Sequence, residues 1–256
     1  MSITTNGYVT LTKENGIGVI AFFHPQSNSL PGVILSDLAA TIQIAGQDND
    51  IKVIILQSAG EKAFCAGASF DELIAIEDEQ TGLQFFSGFA NVINACRTAP
   101  KFIIGRVQGK AVGGGVGVAA ATDYCFATQK SDIKLSELAV GIGPFVVGPA
   151  VERKVGLSAF SQMSVNATAF YSANWAKEKG LYAEVYENID VMDTAIDAFV
   201  QTLIQHNSAT LRQLKKVFWE GTEHWETLLL ERAMMSGRLV LSEHTRAAIA
   251  EIKQKD

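Results

Sequence analysis

"AVGGGVGVAAATDY" occupies positions 111–124, and four of the five residues 113–117 are glycine. Glycine inside a regular element costs roughly 0.5 to 1 kcal/mol relative to alanine, so this density asks for a compensating use. Three uses are open: a nucleotide-phosphate loop, a helix backbone packed against other backbone, or a main-chain N–H aimed at a ligand. The run does not spell G-x-G-x-x-G and no G-K-[ST] follows, which argues against the first. Packing accounts for Ala119, Ala120, Ala121 and some of the glycines. The third use adds position, because Gly113 and Gly114 stand at the predicted helix start, where N–H groups lack intrahelical acceptors and the dipole favours negative charge.

A second segment repeats the pattern. "AFCAGASF" (63–70) follows the apolar run "IKVIILQSAG" (51–60), just as "AVGGGVG" follows "KFIIGRV" (101–107). Two strand-ending loops, both stripped of side chains, suit a pair of N–H donors around one oxyanion. The missing part is a base. Glu137, in "IKLSELAVGIGP" (133–144), lies among apolar residues; it is either a helix-start or surface residue, or a desolvated carboxylate with its pKa raised toward neutrality. His24, His206, His224 and His244 are scattered without metal-ligand spacing, so no metal site is expected. Cys65 lacks a basic neighbour and reads as a buried thiol.

Working outward, "GYVTLTKENGIGVIAFF" (7–23) alternates around Asn15-Gly16 and predicts a hairpin. A helix is expected over "GVILSDLAATIQIAGQD", ending near Gly46, and another from Leu83 to Cys96 before Pro100. "ATDYCFAT" (121–128) and "SDIKLSEL" (131–138) predict short strands, and "WAKEKGLYAEVY" (175–186) a helix, then a strand. From about Asp190 the pattern is helical. The expected organisation is a mixed α/β core over residues 1–195 and a helical appendage over 196–256, in which Trp219, Trp225, Met234 and Met235 form a packing or subunit-contact face.

The composition excludes several classes of function. With 48% hydrophobic residues and 5 prolines in 256, the chain suits a folded domain rather than a disordered one. Its 21 basic and 27 acidic residues give a net charge of -6 without a basic block, so no nucleic-acid partner is expected. Cys65, Cys96 and Cys125 are odd in number and widely spaced, as in reduced cytoplasmic proteins. The first residues are too polar for a signal peptide, and no apolar run approaches the roughly 18 residues that span a bilayer; a cytoplasmic protein without membrane contact is expected.

These segments, in this order, resemble the crotonase superfamily, the enoyl-CoA hydratases and isomerases. "HPQSNSLPGVILSDL" (24–38) is similar to the family's segment after the second strand, "KAFCAGASFDEL" (62–73) to its first oxyanion segment, and "RVQGKAVGGGVGVAAATDYCFAT" (106–128) to its second. "LSELAVGIGP" and "WAKEKGLYAEVY" follow at the expected spacing. The resemblance implies a spiral of repeated ββα units with a C-terminal helical trimerisation region, in homotrimers or dimers of trimers. It implies an acyl-CoA thioester substrate, with coenzyme A as its carrier and no tightly bound cofactor. Residue by residue, it places the two oxyanion N–H groups at Ala68 and Gly114, with Gly113 beside them, and the base at Glu137. It puts the adenine and phosphate end of coenzyme A along Gln26, Ser27 and Ala66, with Phe64 close by.

Two departures stand out. Ser69 replaces an aspartate of the first oxyanion segment, which alters how that loop is braced. Gly117 stands where the family's hydratases carry the first of two glutamates. Adding water across a 2-enoyl thioester is work that two carboxylates share well, whereas moving a double bond from position 3 to position 2 needs one base. Isomerisation with Glu137 is therefore the leading expectation. Hydration with a second carboxylate from Asp71, Glu72 or Glu152, decarboxylation, dehydration or thioester hydrolysis, and a catalytically silent CoA-binding member are the alternatives. Phe145, Val146 and Val147, with Phe85, Phe86 and Phe89, are candidates for the acyl pocket.

Overall fold

Asn15 and Gly16 both take left-handed φ values, 50° and 84°, and turn β1 (Tyr8–Glu14) back antiparallel onto β2 (Ile17–Phe23). The computed structural model describes residues 7–253. From β2 onward the chain repeats one unit: a long strand, a two-residue strand, then a helix. The first unit closes with β3 (Ser29–Leu30) and α1 (Gly32–Gln47). The second is β4 (Val53–Ser58), β5 (Gly67–Ala68), α2 (Phe70–Ile74) and α3 (Glu79–Thr98). The third is β6 (Phe102–Val107), β7 (Ala111–Val112) and α4 (Gly114–Ala121). The fourth is β8 (Tyr124–Thr128), β9 (Ile133–Lys134), a 3-10 turn (Glu137–Val140) and α5 (Gly148–Val165). Then come α6 (Ala173–Glu178), β10 (Glu184–Tyr186), α7 (Ile189–Leu203), α8 (Ser208–Phe218), α9 (Trp225–Leu239) and α10 (Glu243–Lys253). This is the mixed α/β spiral with C-terminal helices that the sequence led us to expect.

The long strands form one sheet in the order β1-β2-β4-β6-β8-β10, parallel after the first pair. Its central strands are buried on both faces. Ile54, Leu56 and Ile103 join the larger core with α1, α3, α4 and α5, whereas Val53, Ile55 and Ile104 pack against Met192, Ile196 and Val200 of α7. The two-residue period of a strand separates these sets. α7 thus crosses the residue-195 limit and covers one face of the sheet.

Two elements depart from the sequence reading. α3 starts at Glu79, four residues before the expected Leu83, because Asp78 and Thr81 form a reciprocal capping box there. The expected strand over 131–138 shrinks to Ile133–Lys134, since Ser136 is in the right-handed helical region and opens the 3-10 turn.

The appendage folds back on its own chain. α9 lies on α3 so closely that a Cβ on Gly82 would sit 2.8 Å from Gly237 Cα. Trp219 and Trp225 are buried edge to face, with ring centroids 5.9 Å apart; Met235 remains exposed. Lys215 of α8 is buried, and its Nζ donates at 2.8 Å to Cys96 O, Lys101 O and Asp123 Oδ2. Asp123 also accepts from Ile103 N and Trp219 Nε1. Every proton of the ammonium therefore has a partner, and removing one member leaves a buried charge uncompensated. Lys215→Met is expected to lower the unfolding free energy by about 3 to 5 kcal/mol in chemical denaturation, and adding Asp123→Asn should recover part of that loss.

Candidate active site

The short strands form a ladder of their own. β3 pairs parallel with β5, Cys65 bridges to Ala111, and β7 pairs parallel with β9. Val112 N donates to Cys65 O at 2.9 Å and Gly113 N to Lys134 O at 2.8 Å. Successive units therefore end on neighbouring rungs, with Ala68 at the end of one and Gly114 and Glu137 two and three residues past the next two. This register brings together three positions far apart in sequence.

Small residues let the loops meet. Gly67 has φ 99°, and a Cβ there would lie 3.3 Å from Val112 O and 3.9 Å from Gly114 N. Gly113, with φ 53°, caps α4; a Cβ on it would come within 3.1 Å of Glu137 Oε1. Gly114 is the first residue of α4, so its N–H precedes any intrahelical acceptor. A Cβ on Gly115 would lie 2.5 Å from Cys65 O, so this helix can approach the preceding loop only as bare backbone.

These residues line one cavity of about 160 Å³. Ala66, Gly67, Ala68, Gly113, Gly114 and Glu137 form its polar part, and Phe85, Phe86, Phe89, Phe145, Val146 and Val147 belong to its apolar wall. Glu137 is half-buried as a residue, but its Oε2 is sealed from solvent and has no hydrogen-bond partner. Burial pushes its carboxyl pKa up from 4.5 to about 7, with the N–H groups of Glu137 and Ser136 acting in the opposite sense. Among the described residues it is the one carboxylate lining the cavity.

The other candidate carboxylates are elsewhere. Asp71 and Glu72 line a separate groove with His24, Gln26 and Ser69. Glu72 Oε2 accepts from Gly32 N at 2.8 Å, and Glu152 is exposed on α5. Gly117 is fully buried, and a Cβ there would lie 2.5 Å from Val147 Cγ1 and 2.8 Å from its Cβ. Val147 thus fills the space beside Gly117. Ser69 caps α2, accepting from Glu72 N at 3.4 Å, and so braces the loop without an aspartate.

The positions expected to hold coenzyme A divide. Ala66 lines the cavity, Gln26 lines the groove beside Asp71 and Glu72, and Ser27 is an exposed loop residue with φ 55°. Phe64 lies outside both: it is fully buried, edge-on to Phe22, because its ring completes the core beneath the ladder. Cys65 is sealed beside it with its thiol pushed up to about 12, which leaves it no nucleophilic role. Among the described residues no group of three His, Cys, Asp or Glu side chains could hold a metal ion, and no helix is long and apolar enough to cross a membrane.

Sequence reasoning passed over Asn28 and Ser236. Asn28 is buried; its Oδ1 accepts from His24 N, and its Nδ2 donates to Ala59 O and Ala63 O, so it ties the loop after β2 to the one before β5. Its left-handed φ of 55° fits its place in a turn-forming "SNS", the one local signal available. Ser236 reaches the cavity from α9, and only the return of that helix brings it there.

The sequence model of the enoyl-CoA hydratase/isomerase family matches residues 12–251. The chain belongs to that family. It is 29% identical over 189 residues to the short-chain-enoyl-CoA hydratase of Clostridium acetobutylicum, covering 73% of this chain and 72% of that one. It is 22% identical to the trans-2-decenoyl-[acyl-carrier-protein] isomerase of Streptococcus mutans, with 85% of each covered. The crystal structure of an enoyl-CoA hydratase from Bacillus halodurans superposes with a TM-score of 0.88 at 18% identity, over 95% of this chain and 99% of that one, and shares the fold. Membership supports acyl-CoA-processing activity at the level of the family.

The buried carboxylate has a measurable cost. Its folded-state pKa of about 7 lies above the ordinary 4.5, so the group costs nothing below pH 4.5, where it is protonated folded or unfolded. Its penalty grows as pH rises to 7 and is constant above. Glu137→Gln is therefore expected to raise the unfolding free energy by roughly 3 kcal/mol at pH 8 and by almost nothing at pH 4, as read from urea titrations at the two pH values.

Proposed function

We propose that the protein isomerises 3-enoyl-CoA to 2-trans-enoyl-CoA with Glu137 as the single base. The observation that carries this reading is the lone carboxylate in an apolar cavity, with Val147 packed where a side chain at Gly117 would extend. In the proposed reaction the thioester oxygen accepts hydrogen bonds from the N–H groups of Ala68 and Gly114. The Glu137 carboxylate takes a proton from C2, and the electron pair spreads over C2, C4 and the thioester oxygen as a dienolate. The carboxylic acid so formed returns the proton to C4, leaving the double bond between C2 and C3. Preorganised backbone donors stabilise the oxyanion without reorganisation, and a base with a pKa near 7 both accepts and returns a proton near neutrality.

A family relative named for isomerising an enoyl thioester supports the reaction class. The cavity, about 160 Å³, compares with apolar cavities of about 150 Å³ that hold a benzene, and so favours short acyl groups. Self-association into homotrimers or dimers of trimers is part of the same proposal, supported by the exposed Leu214, Val217 and Phe218 on α8.

A panel of 3-enoyl- and 2-enoyl-CoA thioesters of graded length tests the reaction. Isomerisation should dominate, with kcat/KM highest at the short end. Glu137→Gln should lower kcat by about a thousandfold with little change in ligand affinity. Faster water addition to the 2-enoyl substrates would make the protein a hydratase, and full activity in the glutamine variant would remove Glu137 from the mechanism. Light scattering is expected to give a mass of three or six chains at micromolar concentration; a monomer would overturn the assembly.

A further inference from the structure

The turn that carries Glu137 is short, and of its residues Val140 packs on the apolar cluster of Leu73, Ile76 and Ile142. None of the residues Glu137–Val140 is buried, and Leu138 and Ala139 face solvent. Its backbone bonds include Ala139 N to Ser136 O, Gly141 N to Leu138 O, and Ile142 N to Glu137 O, each 3.1 Å. The turn closes on Gly141, which has φ 83°. A 3-10 turn of this length makes poor hydrogen bonds on its own, so the position of the carboxylate depends on what meets the turn from outside.

Two helices meet it, α5 and α10, and the side-chain hydrogen bond comes from α10. Thr245, fully buried, donates from Oγ1 to Gly141 O at 2.9 Å and accepts from Ser242 Oγ at 2.9 Å. A Cβ on Gly141 would lie 2.5 Å from Thr245 Oγ1 and 3.0 Å from its Cα, so the helix touches bare backbone. Ile142, the next residue, packs with Val240 and Ile249 beside α2's Leu73. The hydroxyl pair and this small apolar cluster connect α10 to the turn 104 residues earlier in the chain.

We propose that Thr245 is a positioning residue: its hydroxyl, oriented by Ser242, fixes the left-handed Gly141 that ends the Glu137 turn, and thereby holds the carboxylate against Gly113. Removing that hydrogen bond lets the turn relax toward solvent. The carboxylate then loses both its alignment with the substrate and its dry surroundings. This inference rests on the reading of Glu137 as the base, so its test includes a measurement that needs no turnover.

Thr245→Val keeps the side-chain shape and deletes the donor, whereas Thr245→Ser keeps the donor. The valine variant is expected to lower kcat about 10- to 100-fold with KM within about twofold, and the serine variant to stay within about threefold of the parent. Carbon-13 NMR of the labelled Glu137 carboxyl should show its pKa falling by at least about one unit in the valine variant and unchanged with serine. Ser242→Ala, at an exposed position, should move both readouts the same way by less, and it serves if the valine variant does not fold. A folded valine variant with parental kcat and an unchanged Glu137 titration would overturn the proposal. A parent protein without turnover, but with the expected NMR shifts, would sink the isomerase reading and leave the positioning role standing.

Discussion

Everything at the site depends on one close approach, that of the α4 backbone to the loop before β5. Gly115 comes so near Cys65 O that a single added carbon would lie 2.5 Å from it. That contact, with Val112 N on Cys65 O, sets the distance between the two loops. Ala68 and Gly114 can then line one cavity, and Glu137 enters it from the next rung of the ladder. The glycine run, costly as a local sequence, is what permits this geometry.

The second constraint is electrostatic. A carboxylate oxygen buried without a partner destabilises the fold, and Glu137 Oε2 is such an atom. The surrounding structure offsets that cost through burial and satisfied polar groups elsewhere. Lys215 and Asp123 illustrate the contrast: their side chains are almost wholly buried, yet all of Lys215's protons and both Asp123 oxygens are hydrogen-bonded. A charge fully bonded within the protein serves architecture. One left without a partner in a cavity, as Glu137 Oε2 is, is what the proposed proton transfer would use.

Much of this was legible in the chain because it is written in local chemistry. Asn15-Gly16 announces its hairpin through the positive φ the turn requires, and "IKVIILQSAG" and "KFIIGRV" read as buried strands from continuous apolar runs. The two small-residue loops and Glu137 stood out for the same reason, each being an anomaly within its own segment. Phe64 shows the limit of such a reading: an aromatic beside a candidate ligand loop looks the same in sequence whether it faces a ligand or the core, and its side chain faces the core. The two-residue strands carry too few residues for any periodicity, so the strand expected over 131–138 was overdrawn.

The sequence by itself determined the family, the hairpin, the long buried strands and several of the helices, and it named the candidate site residues, since all of these follow from segments of a few residues and their spacing. The tertiary structure alone decided which carboxylates share the cavity. Asp71, Glu72 and Glu152 stood in sequence as candidates for a second carboxylate beside Glu137, and the fold turns them to another groove or to solvent. It alone decided that the space beside Gly117 is filled, by Val147 from a segment thirty positions on. The return of α9 and α10 to the site, bringing Ser236 and Thr245, is equally a tertiary result. The physical reason is common to all three: a side chain's environment is set by backbone approaches between distant segments, and no local pattern encodes those distances.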